Sequence, residues 1–221
     1  MCIRDSTGFV RDLSTAYVLG VGVISDIYLA VFRFIFSIKR IISEENFNYA
    51  FTPIYLEEKN RSQESAKSFS FTLLILMILI STIALSFSIF FAESLVLYFF
   101  GNNITEPSSL LLLESLFKIC IFYIFCIVIS SILIGILNAE KKFFYSLLGP
   151  TYINLTISLV AIVCYQKMGL EDLTYMLSYA MLIGGLIQVL FLWSQVRTAV
   201  KQKFLVVKIN KQALNNFIKL A

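Results

Sequence analysis

The sequence predicts an all-α fold, a polytopic bundle of about six transmembrane helices, and three observations lead there. Of 221 residues, 58% are hydrophobic and only 14% charged, against roughly 25% charged in an average soluble domain. No charge occurs between Lys67 and Glu93, Lys118 and Glu140, Lys142 and Lys167, or Asp172 and Arg197, and each gap exceeds the roughly 20 apolar residues that a helix needs to cross the hydrocarbon core. These runs are also too long and too little alternating for barrel strands, so helices remain as the way to satisfy backbone hydrogen bonds in lipid.

The opening residues, Met1 to Asp12, are no signal peptide, because Arg4, Asp5, Arg11 and Asp12 have no apolar stretch between them. A first helix is expected near Gly8 to Val23, broken by Gly20 and Gly22, and a second from Ser25 to Ile42; both are less apolar than the rest. A polar segment, 43–67, follows. In it Phe47, Ala50, Phe51 and Ile54 recur at i, i+3, i+4 and i+7, which predicts a short amphipathic helix along the membrane surface; the alternative is a solvated connector with Pro53 at its irregular point. Further membrane helices are expected at Ser68 to Ala92, Leu110 to Asn138, Phe144 to Tyr165 and Leu173 to Val196. The domain reading is one six-helix lobe over 1–196, with 43–67 as cytoplasmic connector. Residues 197–221 are expected to form a basic cytoplasmic tail.

Loop charges give an orientation. Lys and Arg collect in cytoplasmic loops, and here they collect in alternate ones. Lys39, Arg40, Lys59, Arg61 and Lys67 follow the second helix, Lys141 and Lys142 the fourth, and Arg197, Lys201, Lys203, Lys208, Lys211 and Lys219 the sixth. The intervening loops are nearly bare. The expectation is a multi-pass membrane protein whose N-terminus and basic loops are cytoplasmic.

Charge inside the membrane is costly, by at least about 2.5 kcal/mol per group on insertion scales, and the first two helices concentrate it. Asp26, Arg33 and Arg40 fall at i, i+7 and i+14, one stripe that drifts by about 20° per heptad. Arg11 and Asp12 add a charge pair on the first helix, and Lys39 widens the basic cluster. The functional reading is a wet cationic cavity for an anionic headgroup such as a pyrophosphate, because guanidinium offers fixed donors to phosphate oxygens. The plainer reading has Lys39 and Arg40 snorkelling to lipid headgroups and Arg11 with Asp12 as a structural pair. Glu114 and Lys118, one turn apart, read as a local ion pair. Asn138, Asn154 and Gln188 read as helix-joining residues, and Gly184-Gly185 as close packing.

Catalysis has little to stand on. There is no histidine, no clustered carboxylate within the membrane and no Gly-rich phosphate loop, so the chain is expected to be a non-enzyme without cofactor. Cys2, Cys120, Cys126 and Cys164 lack metal-ligand spacing, and no metal site is expected.

Specific strings then add to this reading. Gly8-Phe9-Val10-Arg11-Asp12, Asp26 followed by Ala30-Val31-Phe32-Arg33, Lys39-Arg40, Glu44-Glu45-Asn46-Phe47 and Ala50-Phe51-Thr52-Pro53 occur in this order. Gly135-Ile136-Leu137-Asn138-Ala139, the Pro150 to Asn154 segment and Gly184-Gly185-Leu186-Ile187-Gln188 come after them. Together they resemble the MurJ/MviN lipid II flippase family, of the multidrug, oligosaccharidyl-lipid and polysaccharide exporter superfamily. The resemblance implies two six-helix lobes, of which this is the first, rocking around a cationic cavity. It also implies transfer of lipid-linked peptidoglycan precursor, an undecaprenyl-pyrophosphate sugar, from inner to outer leaflet. Its implied partners are that anionic lipid, membrane lipids and the missing C-terminal lobe, with no nucleic acid. Arg11 would face the pyrophosphate; Arg40 and Asp26 match family positions, and Lys39 stands where arginine is usual. Asp5 stands at another arginine position, so Met1 to Ser6 is expected to be foreign sequence that replaces the true start of the first helix. Ile35 replaces a customary proline and Glu45 a glycine. Two other readings share these residues: a polysaccharide-unit or multidrug exporter of the same superfamily, and a non-transporting membrane scaffold.

Overall fold

The structure, a computed structural model, describes residues 3–43, 46–100, 106–165 and 167–200. Among them are nine helices and no strand: α1 (Ile3–Leu19), α2 (Val23–Ser43), α3 (Asn46–Arg61), α4 (Gln63–Phe90), α5 (Ala92–Phe100), α6 (Pro107–Cys120), α7 (Tyr123–Ala139), α8 (Phe143–Cys164) and α9 (Leu170–Val200). The expected all-α class is the observed one. By length and composition four helices are apolar enough to cross a membrane, namely α4, α6 with α7 as one span, α8 and α9. They coincide with the four charge-free gaps. α1, at 17 residues, is too short for this set, and α2 is kept out by its charges, Asp26, Arg33, Lys39 and Arg40.

The α1–α2 break falls where the glycines stand. Gly20 adopts a left-handed backbone (φ 65°) and its N–H donates to the Ala16 carbonyl at 3.0 Å, a helix-ending geometry that glycine takes at little cost. Beyond the turn the two helices part company. α1 runs alongside α8, from Gly8 against Asn154 to the Tyr17–Tyr165 ring pair. α2 packs against α6 and α7, with Phe34 on Phe117 and Phe36 stacked on Tyr123. A gap is left between α1 and α2.

Two expectations need correction. The single helix expected over Leu110 to Asn138 is interrupted at Ile121 and Phe122, where Phe122, Ile124 and Phe125 make i→i−3 bonds to Ile119, Ile121 and Phe122; the chain tightens there without leaving the span. The apolar face of the connector helix does not lie on lipid. Phe47, Ala50, Phe51, Ile54 and Tyr55 are buried in one cluster with Phe69 and Leu73 of α4 and Ile132, Leu133 and Ile136 of α7. Protein covers the face because α4 turns straight back over it: Ser62 caps α4 by accepting from the Ser65 N–H at 3.0 Å. Pro53 does not interrupt α3; it sits on the exposed side.

That cluster also takes in Val196 and Val200 of α9, and Lys59 Nζ donates to both Glu140 oxygens, at 2.7 and 2.8 Å, with the Tyr55 hydroxyl on the same carboxylate at 3.2 Å. Burial first, then the charge and hydrogen bond of Glu140, push the Tyr55 phenol above its usual value. α3, the α7–α8 loop and the end of α9 around Val196 and Val200 therefore meet at one end of the bundle. From residue 201 the expected tail lies outside the described residues, as do Glu44, Glu45 and residues 101–105.

Helix contacts are close where side chains are absent. A Cβ on Gly184 would stand 2.8 Å from Ile153 Cα of α8, and one on Gly185 2.6 Å from Tyr123 Cε2 of α7, so the double glycine lets α9 touch two helices at once. The distal part of α4 packs least: Leu79, Ile80, Ile83, Phe87 and Phe90 are exposed, a surface that only an apolar surrounding would accept.

Candidate substrate cavity

Between α1, α2 and α8 lies a cavity of about 830 Å³. Arg11, Arg33, Lys39 and Arg40 line it against the acidic Asp5 and Asp12, with Phe32, Phe36, Pro150 and Asn154 among the other walls. Basic side chains outnumber acidic ones by two. The cavity exists because α1 follows α8 while α2 follows α6 and α7, and it ends near Ala16 and Leu29, where the two helices converge on the Gly20 turn.

Five of the six site residues expected from sequence, Arg11, Asp12, Arg33, Lys39 and Arg40, meet here. Asp26 does not. It lies one turn beyond Leu29, near the closed end, and is exposed outside the lining. The heptad stripe is therefore real for Arg33 and Arg40, but the gap it would face does not extend as far as Asp26. Arg33 and Arg40 are exposed and have no ion-pair partner among the described residues; Lys39 is buried, its ammonium 5.2 Å from the Phe36 ring centre.

Arg11 is the most constrained of the cations, its side chain 12% exposed. Nε and Nη2 donate to Asp12 Oδ1 at 3.0 and 2.7 Å, and Nη1 donates to Asn154 Oδ1 at 2.9 Å. Its guanidinium carbon stands 4.7 Å from the Phe32 ring centre and 5.1 Å from that of Phe36, where the ring face attracts a cation. The rings are themselves held in a stack, Tyr28 on Phe32, Phe32 on Phe36 and Phe36 on Tyr123.

Sequence reasoning missed Phe32 and Phe36 as partners of Arg11, although their i, i+4 spacing beside Arg33 and Arg40 was a usable signal. It read Asn154 only as a helix joiner, and nothing in the sequence could pair residue 154 with residue 11. The Glu114–Lys118 pair forms as expected, at 2.6 Å and away from the cavity lining. Chemically, the site offers an open chamber with one held guanidinium, that of Arg11, further basic side chains and aromatic walls, a set of donors suited to phosphate oxygens.

A family profile described as Lipid II flippase MurJ matches residues 15–221, beginning just after Arg11 and Asp12. The probable lipid II flippase MurJ of Rhizobium meliloti is 28% identical over 198 residues, which cover 87% of this chain and 36% of that protein. The corresponding protein of Buchnera aphidicola subsp. Baizongia pistaciae is 30% identical over 185 residues, 83% of this chain and 36% of that protein. The chain thus spans about a third of the length of these curated relatives. Among solved structures, lipid II flippase MurJ in an inward closed conformation matches 99% of this chain and 44% of that one, with a TM-score of 0.75 and 25% identity. An inward-facing multidrug resistance transporter of the MATE family, in the MOP superfamily, matches with a TM-score of 0.74 at 15% identity, over 99% of this chain and 51% of that one; this second likeness concerns the fold alone.

Proposed function

Because this chain belongs to the lipid II flippase MurJ family, we propose that it forms one lobe of a transporter for a lipid-linked diphosphate sugar. In this reading the α1–α2–α8 cavity receives the anionic headgroup, and the lobe, spanning 1–196 with 43–67 as connector, works against a second lobe by alternating access. The observation that carries the reading is the gathering of Arg11, Arg33, Lys39 and Arg40 around one chamber between α1, α2 and α8. Four cations at such a place are costly unless they meet water and an anion. A scaffold that merely packs helices would have no use for them.

Arg11, Arg33, Lys39 and Arg40 then bind phosphate oxygens, and Asp12 is the counter-ion that an incoming phosphate displaces from the Nε–Nη2 edge of Arg11. Asp26, outside the lining, takes no part in this step. The basic end of the bundle, where α3, the α7–α8 loop and the end of α9 meet, faces the cytoplasm of a bacterium whose inner membrane the helices span; the positive-inside bias supports this orientation.

The test is binding of undecaprenyl diphosphate to the full chain in lipid nanodiscs. The expected result is salt-sensitive binding that Arg11→Ala and Arg33→Ala each weaken by about tenfold, as for loss of a charge-assisted hydrogen bond of roughly 1.5 kcal/mol. Binding unaffected by both substitutions would exclude the cavity as the headgroup site.

A further inference from the structure

Asn154 lies midway along α8, 5% exposed, and both ends of its amide are directed at α1. Oδ1 accepts from Arg11 Nη1 at 2.9 Å and Nδ2 donates to Thr7 Oγ1 at 3.2 Å. Thr7 and Arg11 are one turn apart, on the same helix face. Between them Gly8 brings the α1 backbone so close that a Cβ there would stand 3.7 Å from Asn154 Nδ2. The amide is thus a clip between two helices, and its upper jaw is the guanidinium that lines the cavity.

The chemistry of the acceptor matters more than the clip. A guanidinium has five N–H donors; among the described residues Asp12 takes two of those on Arg11 and Asn154 takes one. Two are left for an anion. Asp12 is 66% exposed, so water screens its charge and an anion can displace it. Asn154 is buried, and a buried partner is not displaced; a carboxylate there would hold Arg11 in a permanent ion pair and lower its attraction for phosphate. A neutral amide fixes the direction of the guanidinium and leaves its charge intact.

We propose that Asn154 is a positioning residue for anion capture, which aims Arg11 into the cavity without neutralising it. The proposal rests on the cavity binding a diphosphate, and the experiment separates the two. Farnesyl diphosphate is titrated against the full chain in nanodiscs at several salt concentrations, for the wild type, Arg11→Ala, Asn154→Asp and Asn154→Gln. Asn154→Asp keeps the volume and the acceptor for Arg11 and loses the donor to Thr7, but the Thr7 hydroxyl can turn to donate to the new carboxylate, so a clip that is merely structural survives it. The expected result is a thermal midpoint no lower than wild type with affinity reduced about tenfold and a shallower salt dependence, from the pairing of Arg11 with the new carboxylate. Asn154→Gln, neutral but one methylene longer, is expected to bind between the wild type and Arg11→Ala. If Asn154→Asp binds like wild type while Arg11→Ala is impaired, Asn154 has only a structural role and the proposal fails alone. If Asn154→Asp does not fold, wild-type affinity in Asn154→Gln overturns the proposal and an intermediate affinity supports it. If the wild type binds no farnesyl diphosphate in a salt-sensitive way, the cavity reading fails and this proposal with it.

Discussion

Replacing Gly184 by alanine tests the packing that holds the cavity open. The new Cβ would stand 2.8 Å from Ile153 Cα and 3.2 Å from Thr156 Cβ and Oγ1, whereas carbon atoms rest at roughly 3.5–4.0 Å. Since the blocking atom is backbone, α8 or α9 must move by about 1 Å. Overpacking of this kind costs about 1–3 kcal/mol, and the better helix propensity of alanine returns up to about 1 kcal/mol. The net expectation is a loss of roughly 1 kcal/mol. The control is Gly8→Ala, also inside a helix, where the Cβ meets Asn154 Nδ2 at an ordinary 3.7 Å; there the propensity gain should stand almost alone. The two variants are compared by reversible unfolding of the purified protein in mixed micelles, with helicity as the readout. Gly184→Ala should be the less stable by about 1–3 kcal/mol. Equal stability, or a more stable Gly184→Ala, would refute the close approach of α8 and α9. The effect reaches the site as well: Ile153 precedes Asn154, so a displaced α8 carries away the amide that holds Arg11.

Two other substitutions probe separate parts of the molecule. Glu140→Gln removes the carboxylate that Lys59 and Tyr55 share in a largely buried pocket, and it should lower stability by about 1–3 kcal/mol and speed proteolysis within α3, read by timed digestion; an unchanged cleavage pattern would show that the connector is held by its apolar face alone. Phe36→Leu removes the ring beneath both Arg11 and Lys39; it should weaken diphosphate binding about twofold to thirtyfold, from a cation–π loss of roughly 0.5–2 kcal/mol, measured in the nanodisc titration against Leu29→Ala as a lining control.

The membrane-spanning helices were legible in the sequence because hydrocarbon imposes a one-dimensional rule. A span needs a charge-free run of a certain length, and Lys67, Glu93, Lys118, Glu140, Lys142, Lys167, Asp172 and Arg197 mark the ends of four such runs before any packing is known. The apolar face of Phe47, Ala50, Phe51 and Ile54 was legible for the same kind of reason, its helical period. What lay against that face was not, since lipid and the side chains of α4 and α7 are equally apolar and only the fold chooses between them.

Composition and spacing also located the charge that a membrane protein must justify, on Arg11, Asp12, Arg33, Lys39 and Arg40. Tertiary structure alone decided which of these share a chamber and where it stops. The periodic stripe treats Asp26 and Arg33 alike, yet α1 and α2 converge at the Gly20 turn and diverge toward the basic end, so one residue lies past the closed end and the other on the wall. In the same way, residues 11 and 154 become neighbours only because α1 packs along α8. Periodicity within a helix is a local property of the chain; the separation between two helices is set by what each packs against, and no single segment of sequence contains that information.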